Sequence, residues 1–282
     1  MHALRRAAAR AARTVLACVD WPRAAAGAAR RRADFDRVER YVMFLGYPRS
    51  GHTLPGAMLN AHPDAVVAHE LDALLYVGMG FSRNQIFSLI CDRDQWFCRR
   101  HCVWTGYSYA IPNQWQGRYE RLRVIGDKKG AGTARRLLDR PALLDRLRHT
   151  AGVPIRIVHV TRNPFDNIAT IARRESQSID DAAAAYFRLC ESVARTAARC
   201  DPSEIHHLRH EDLVRAPVDM LRRLCAFVGL DPSPAYLADC AGIVFEAPSR
   251  SRSAAAYSDD ARARIQDRLD GYPFLRGYSF ES

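Results

Sequence analysis

Short apolar runs of strand length alternate along this chain with longer segments that carry apolar residues on one face. Tyr41-Val-Met-Phe-Leu45 is stopped by Gly46 and Pro48 and followed by a helical stretch, Thr53–Asn60. Ile155-Arg-Ile-Val-His-Val-Thr161 is a second β-branched run, and Asn163-Pro164 behind it predicts a helix start, with proline suited to the first turn. Val124-Ile125, Ile205–Leu208 and the short run Ala65–Ala68 predict further strands. Helices are expected around 132–149, 180–200, 217–228 and 259–269. Strands that are apolar on both faces and separated by helices predict an α/β fold, a parallel sheet covered on both sides. Residues 82–120, with bulky aromatics and several Cys and His, break the rhythm and read as a helical insertion, a candidate substrate lid.

Composition then narrows the class. The 282 residues are 48% apolar and 26% charged, enough for a real core and unlike a disordered or low-complexity chain. The net charge of +11 suggests a polyanion partner until its distribution is read. Residues 1–33 hold eight arginines against one aspartate, so most of the excess sits in an Ala/Arg-rich segment and little in the remainder. We therefore divide the chain into a basic tail, 1–40, and a catalytic-sized body, 41–282. The tail's spacing predicts an Arg-faced solvated helix, with peripheral contact to acidic lipid as a second reading and a targeting peptide as a third. No DNA-binding motif appears, and the body's small net charge does not suit a nucleic-acid surface. No run reaches the roughly 20 apolar residues of a membrane span. The eight cysteines lack the spacing of a disulfide framework and read as reduced thiols of a cytoplasmic chain. Cys91, Cys98, His101 and Cys102 fit no standard zinc spacing, and no metal is expected.

The chemistry concentrates in Gly46-Tyr-Pro-Arg-Ser-Gly51-His52-Thr53, which follows a strand and opens a helix. Such a loop aims backbone N–H groups and the positive helix end at an anion. Its frame, G-x-x-x-x-G-x-T, is that of a P-loop with His52 where the phosphate-binding lysine usually stands. Loss of that lysine argues against triphosphate chemistry, while Arg49 offers a planar fork of donors instead.

Tyr47-Pro-Arg-Ser-Gly-His-Thr53 resembles the 5′-phosphosulfate loop of sulfotransferases that use 3′-phosphoadenosine 5′-phosphosulfate (PAPS), with His52 a departure from the usual threonine. Ala57-Met-Leu-Asn-Ala-His-Pro-Asp64 is similar to the stretch after that loop in the protein-tyrosine and bacterial carbohydrate branches. Arg162-Asn163-Pro164-Phe-Asp166-Asn-Ile-Ala-Thr170 matches the family's 3′-phosphate motif. The resemblance implies a three-layer P-loop-NTPase-like fold, PAPS as co-substrate, and Arg49, Ser50, Gly51, His52, Thr53, Arg162 and Thr170 as its binding residues. It also implies closure over the nucleotide by a C-terminal loop, here Pro248-Ser249-Arg250-Ser-Arg252-Ser253.

Sulfuryl transfer needs a base for the acceptor, positive charge on the sulfuryl oxygens and a donor for the leaving phosphate. Glu70 follows the run Ala65–Ala68 at the loop side of the sheet, where open α/β sheets bind ligands, and matches the place of the family's catalytic glutamate. His69 is the alternative base. Arg49 would bear on the sulfuryl group. The chain's two lysines, Lys128 and Lys129, stand together in Gly126-Asp-Lys-Lys-Gly130 against 40 arginines, which suggests a need for compact ammonium donors. Lys128 matches the family position better, though the choice between the two stays open. The acceptor, a small molecule, a carbohydrate or a protein tyrosine, is not written in the chain. A P-loop kinase of a small metabolite and a non-catalytic protein docking on membrane or RNA are the rival functions.

Overall fold

The computed structural model describes residues 18–247 and 249–282. Residues 18–30 form α1 and Arg32–Phe35 a short α2. The body then runs β1 (Arg40–Gly46), α3 (Thr53–Asn60), β2 (Ala65–His69), α4 (Ala73–Met79) and α5 (Arg83–Arg99). A two-stranded hairpin follows, β3 (Val103–Trp104) and β4 (Tyr107–Ser108), then β5 (Val124–Lys128), α6 (Ala131–Asp139) and α7 (Leu143–Ala151). The second half comprises β6 (Ile155–Thr161), α8 (Pro164–Glu175), α9 (Ile179–Ala197), β7 (Ile205–Arg209), α10 (His210–Arg215), α11 (Pro217–Val228), α12 (Pro234–Ala241) and α13 (Asp259–Asp270).

Five strands make one parallel sheet in the order β2-β5-β1-β6-β7. From central β1 the chain goes to one edge, returns through β5, and crosses to β6 on the other side of β1. The carboxyl ends of all five strands therefore meet along one rim, with the switch in direction beside β1, the place where such sheets open a crevice. Alternate residues feed the two faces. Tyr41, Met43 and Leu45 join Ile125, Ile157, Phe87, Phe165 and Tyr186 in one core. Val42 and Phe44 join Val67, Val158, Leu208, Leu59 and Leu224 in the other. This is the α/β architecture expected from the strand–helix alternation, in the three-layer, P-loop-like form that the resemblance implies.

Three local expectations change. The helix expected over 132–149 is two helices, because Pro141 cannot continue α6 and holds Arg140 extended at φ −143°. The insertion 82–120 is helical only through α5, which a Ser82–Gln85 capping box starts; the rest is the β3–β4 hairpin and irregular chain. The solvated helix expected of the tail is, over residues 18–38, docked on the body. Ala24 and Phe35 are fully buried, the Tyr76 hydroxyl donates to Asp20 at 2.7 Å, Arg31 pairs with Asp92 at 2.9 Å, and Arg83 donates to the Phe35 carbonyl at 2.7 Å. Its apolar residues Ala24, Phe35 and Val38 dock it, with Arg31 turned inward onto Asp92, while Arg30, Arg32 and Arg37 stay exposed. Residues 1–17, the remainder of the tail, lie outside the described residues. Among the described residues no helix is long and apolar enough to cross a membrane.

Candidate active site

The loop from Gly46 to Thr53 leaves the end of β1 and enters α3. Ser50 is fully buried and serves the loop itself: its hydroxyl donates to the Tyr47 carbonyl at 3.1 Å and accepts from Asn167 at 2.9 Å. Asn167 also donates to the Pro48 carbonyl at 2.7 Å, so one amide on α8 pins two points of the loop. Arg49 sits between those points, exposed and at φ 66°, a left-handed conformation uncommon for residues other than glycine. Gly51 has φ 81°, and a Cβ there would come 2.4 Å from His210 Nδ1, so glycine is needed for both conformation and space.

His52 does not stand in for a charged lysine. Its ring is buried against Gly46 and Gly130, where added Cβ atoms would lie 2.7 and 2.8 Å from Nε2. Burial first, and then the Lys128 charge, push its pKa down to about 3, so the imidazole is neutral and acts as a packing wedge under the loop.

On the β2–β5 side, the two strands pair in parallel with His69 opposite Lys128, and the Glu70 N–H still donates to the Lys128 carbonyl at 3.2 Å. That register delivers Glu70 and both lysines to one point. Lys128 Nζ donates to Glu70 Oε1 at 3.0 Å and to Thr53 Oγ1 at 3.3 Å, while Lys129 Nζ donates to Glu70 Oε2 at 2.8 Å. Both lysines hold the carboxylate; of the two, Lys128 also reaches the phosphate loop. Burial alone would raise the Glu70 pKa, but the two ammoniums outweigh it and hold the carboxyl down at about 2. Lys128 is itself buried, which lowers its pKa against the raising effect of Glu70. Its stem crosses Gly56 of α3, where an added Cβ would lie 2.8 Å from Cγ.

Glu70 and Asp72 take φ values of 60° and 72°, so the turn after β2 is strained. Asp127 holds it: its carboxylate accepts from the Leu71 N–H at 3.0 Å and the Ala73 N–H at 2.8 Å, and Asp72 pairs with Arg136. His69, the alternative base, is stacked on Phe97 at 4.0 Å and edge-on to Trp104 at 4.6 Å. Burial, and then Lys128, lower its pKa to about 3. The insertion therefore does reach the site, through Phe97 and Trp104.

The β6–β7 side is built differently. Arg162 is buried and donates to the Arg49 carbonyl at 3.2 Å, to the Ser249 carbonyl at 2.5 Å and to Ser251 Oγ at 3.4 Å. It thus ties the phosphate loop to the C-terminal segment. Ser249 and Arg250 are exposed beside it. Arg252, expected to grip nucleotide, is instead buried in an ion pair with Asp166 at 2.6 Å and bonded to the terminal Ser282 carbonyl. It clasps the C-terminal segment onto α8, since a buried guanidinium needs a carboxylate. The Thr170 hydroxyl is also buried and donates back to the Asp166 carbonyl at 2.8 Å. Asn163 caps α8, its own N–H bonded to Glu211 at 2.7 Å.

Asn167, Asp166, Asp127 and Glu211 were not expected here. Asn167 lies four residues after Asn163 on the same helix face, a spacing that could have flagged it. The roles of the others, Asp166 with Arg252, Asp127 with the turn after β2 and Glu211 with Asn163, come from long-range contacts.

Among known proteins, the family model described as the Sulfotransferase family matches residues 153–234, the span holding β6, Arg162, Asn163, Pro164 and Thr170. Over that segment the chain is similar to the sulfotransferases. No curated protein matches it in sequence. Similar solved structures include the sulfotransferase domain of the Synechococcus PCC 7002 olefin synthase, at 19% identity, covering 72% of this chain and 78% of that one, TM-score 0.48. Sulfotransferase STF1 from Mycobacterium tuberculosis H37Rv is 13% identical, covering 88% and 81%, TM-score 0.49. Mouse sulfotransferase SULT7A1 complexed with PAP is 13% identical, covering 79% and 68%, TM-score 0.43. The matched segment supplies one half of the rim, and the Gly46–Thr53 loop, Glu70 and the lysines supply the other.

Proposed function

We propose that this chain is a sulfotransferase that moves the sulfuryl group of PAPS to a hydroxyl or amine of an acceptor, with Glu70 as the base. The observation that carries the reading is the Lys128 ammonium bonded at once to Glu70 and to Thr53 of the phosphate loop. A base, a cation for the leaving group and an anion cradle thereby converge. The residues also fit a nucleotide with two separate phosphate groups. The loop amides, Arg49 and Thr53 suit the 5′ side. Arg162, buried with an unpartnered Nε, suits the 3′ side. His210, whose Nδ1 against Gly51 is likewise unpartnered, stands between them.

PAPS supplies a sulfuryl group on a phosphate leaving group. Glu70 accepts the acceptor's proton as the new oxygen–sulfur or nitrogen–sulfur bond forms and the sulfur–oxygen bond to phosphate breaks. Lys128, the loop N–H groups and Arg49 meet the charge on the sulfuryl oxygens and the departing phosphate. Without nucleotide, the two lysines hold the carboxylate near a pKa of 2, too acidic for an effective base. Transfer of Lys128 from Glu70 to the phosphate would raise that pKa and ready the base when the co-substrate arrives. The neutral wedge His52 gives no charge to a γ-phosphate, which speaks against the kinase alternative.

A thermal-shift comparison tests this. PAPS and its product 3′,5′-diphosphoadenosine (PAP) should each raise the melting temperature, while ATP with Mg²⁺ should not. A shift with ATP–Mg²⁺ alone would overturn the reading.

A further inference from the structure

A cavity of about 430 Å³ opens directly on Glu70, a volume suited to a small molecule. Its walls come from α5, through Asp92, Arg93, Trp96 and Arg99, and from α1, through Arg23. Asp92, Trp96 and Arg99 share one face of α5, and the docked α1 supplies the facing wall.

The charges in this cavity do not balance locally. Its two carboxylates are already neutralised: Asp92 by Arg31 at 2.9 Å, and Glu70 by Lys128 and Lys129. Arg93 is half-buried, donates one N–H to the His69 carbonyl at 2.8 Å and lies 4.2 Å above the Trp96 ring. Burial lowers its pKa, against smaller raising effects from Asp127 and Glu70. Among the described residues neither Arg93 nor Arg99 has a carboxylate within ion-pair distance. A half-buried guanidinium held by a backbone carbonyl and an aromatic face is a preorganised fork for a planar or tetrahedral anion.

We propose that this cavity is the acceptor site and that Arg93 and Arg99 select an acceptor carrying an anionic group, a carboxylate or a phosphate, beside the hydroxyl that faces Glu70. The proposal rests on the sulfotransferase reading above, since it takes Glu70 as the base. The anion is held by the α5 guanidiniums, Arg23, itself paired with Asp20 at 3.2 Å, borders the rim, and the neutral part of the acceptor lies over Leu71 and Tyr76. The role also explains why α1 is docked rather than free: it completes the wall.

The test is calorimetric binding of matched pairs to the full chain, with and without PAP: 4-hydroxyphenylacetate against 4-hydroxyphenylacetamide, and glucose 6-phosphate against glucose. At least one anionic member should bind about tenfold or more tighter than its neutral partner, a ratio that two charge-assisted hydrogen bonds readily give. Arg93→Gln and the more exposed Arg99→Gln should each cut that ratio severalfold and leave PAP affinity as in wild type. The phenolic and sugar pairs tell a carboxylate from a phosphate preference. Equal binding within both pairs, no binding by any member, or a preference unchanged in both variants would overturn the proposal. Failure of wild type to bind PAP would instead sink the parent reading, and the pairs measured without PAP would still decide this one.

Discussion

The two halves of the rim hold charge in opposite ways. On the β2–β5 side a carboxylate and two ammoniums face one another in a partly open cluster, on a strained turn, with only side-chain partners. On the β6–β7 side Arg162 and Arg252 are locked to backbone carbonyls and a buried carboxylate, with the C-terminal residues as part of the lock. Glu70 and Lys129 are partly open to solvent, where ion pairs trade partners at little cost, while the buried Lys128 can leave Glu70 only for another anion. A guanidinium bonded to carbonyls from two segments cannot move without unpicking both. The first arrangement suits groups that must change partners during a reaction, the second suits a grip on a group that does not react. The proposed base and the proposed 3′-phosphate site fall on the matching sides.

The sharpest way to break this comparison is to neutralise the movable half. Glu70→Gln should lower turnover about 10²–10⁴-fold, the usual worth of a general base. Its PAP affinity should equal or exceed that of wild type, because Lys128 loses its competing partner. Turnover within a fewfold of wild type, measured by PAP release, would remove Glu70 as base.

The same substitution on the holding half should act on stability. Asp166→Asn leaves Arg252 buried without its carboxylate, and removal of one partner from a buried pair costs about 3–5 kcal/mol. Because Asn keeps an acceptor for the Arg252 N–H, the lower end is expected, about 3 kcal/mol, or roughly 6–12 °C in melting temperature for a chain of this size. Scanning calorimetry reads it directly. A shift under about 2 °C would mean that the clasp is not what seals the C-terminal segment.

These two halves were also unequally legible in the sequence. The loop Gly46–Thr53 and the Arg162-Asn163-Pro164 turn each lie in one contiguous stretch after a β-branched strand, so local pattern was enough to place them. Glu70 could be placed because a strand end has a definite side in a parallel sheet. What stayed hidden joins distant residues. The Arg252–Asp166 clasp spans 86 positions, so Arg252 looked like one more loop arginine. Asp127 stood inside a segment read for its lysines, and nothing local says that its carboxylate caps the turn after β2. That Lys128, and not Lys129, also meets Thr53 depends on the register of β2 on β5 and the passage of the Lys128 stem over Gly56. The tail was misjudged over residues 18–38 because its arginines outnumber the few apolar residues that dock it.

A smaller effect separates binding from chemistry on the Arg162 side. Arg162→Ala should weaken PAPS by about 10–100-fold, the scale of lost charge-assisted hydrogen bonds. It should leave adenosine 5′-phosphosulfate, which lacks the 3′-phosphate, bound as in wild type. Equal losses for both ligands would mean that Arg162 acts only by holding Arg49 and Ser249 in place.

The finest discrimination is a pH dependence in which rate and stability part company. His52 and His69 are held down at about 3 and His210 at about 4, each first by burial, so all three are neutral throughout the working range. With folded pKa values depressed below the unfolded 6.5, they contribute stability that is present above pH 6.5 and is lost as pH falls toward 4 and 3. Asp127 works in the opposite sense. Burial raises it to about 6, so its contribution is full below pH 3.8 and fades as pH rises through 6. Burial raises Asp94 to about 6 as well, but the depressed histidines, which also include His62, His159, His206 and His207, outnumber the two raised carboxyls, and the melting temperature should fall steadily from pH 6.5 to 5. Over the same interval Glu70, held at about 2 in the free protein, stays ionised, and no histidine in the cluster changes charge. The kcat/KM for PAPS should therefore be flat between pH 5.5 and 8 while stability declines. A rate limb near pH 6–7 that vanishes in His69→Gln would transfer the base to His69, and with it the movable half of the rim from β2–β5 electrostatics to an imidazole.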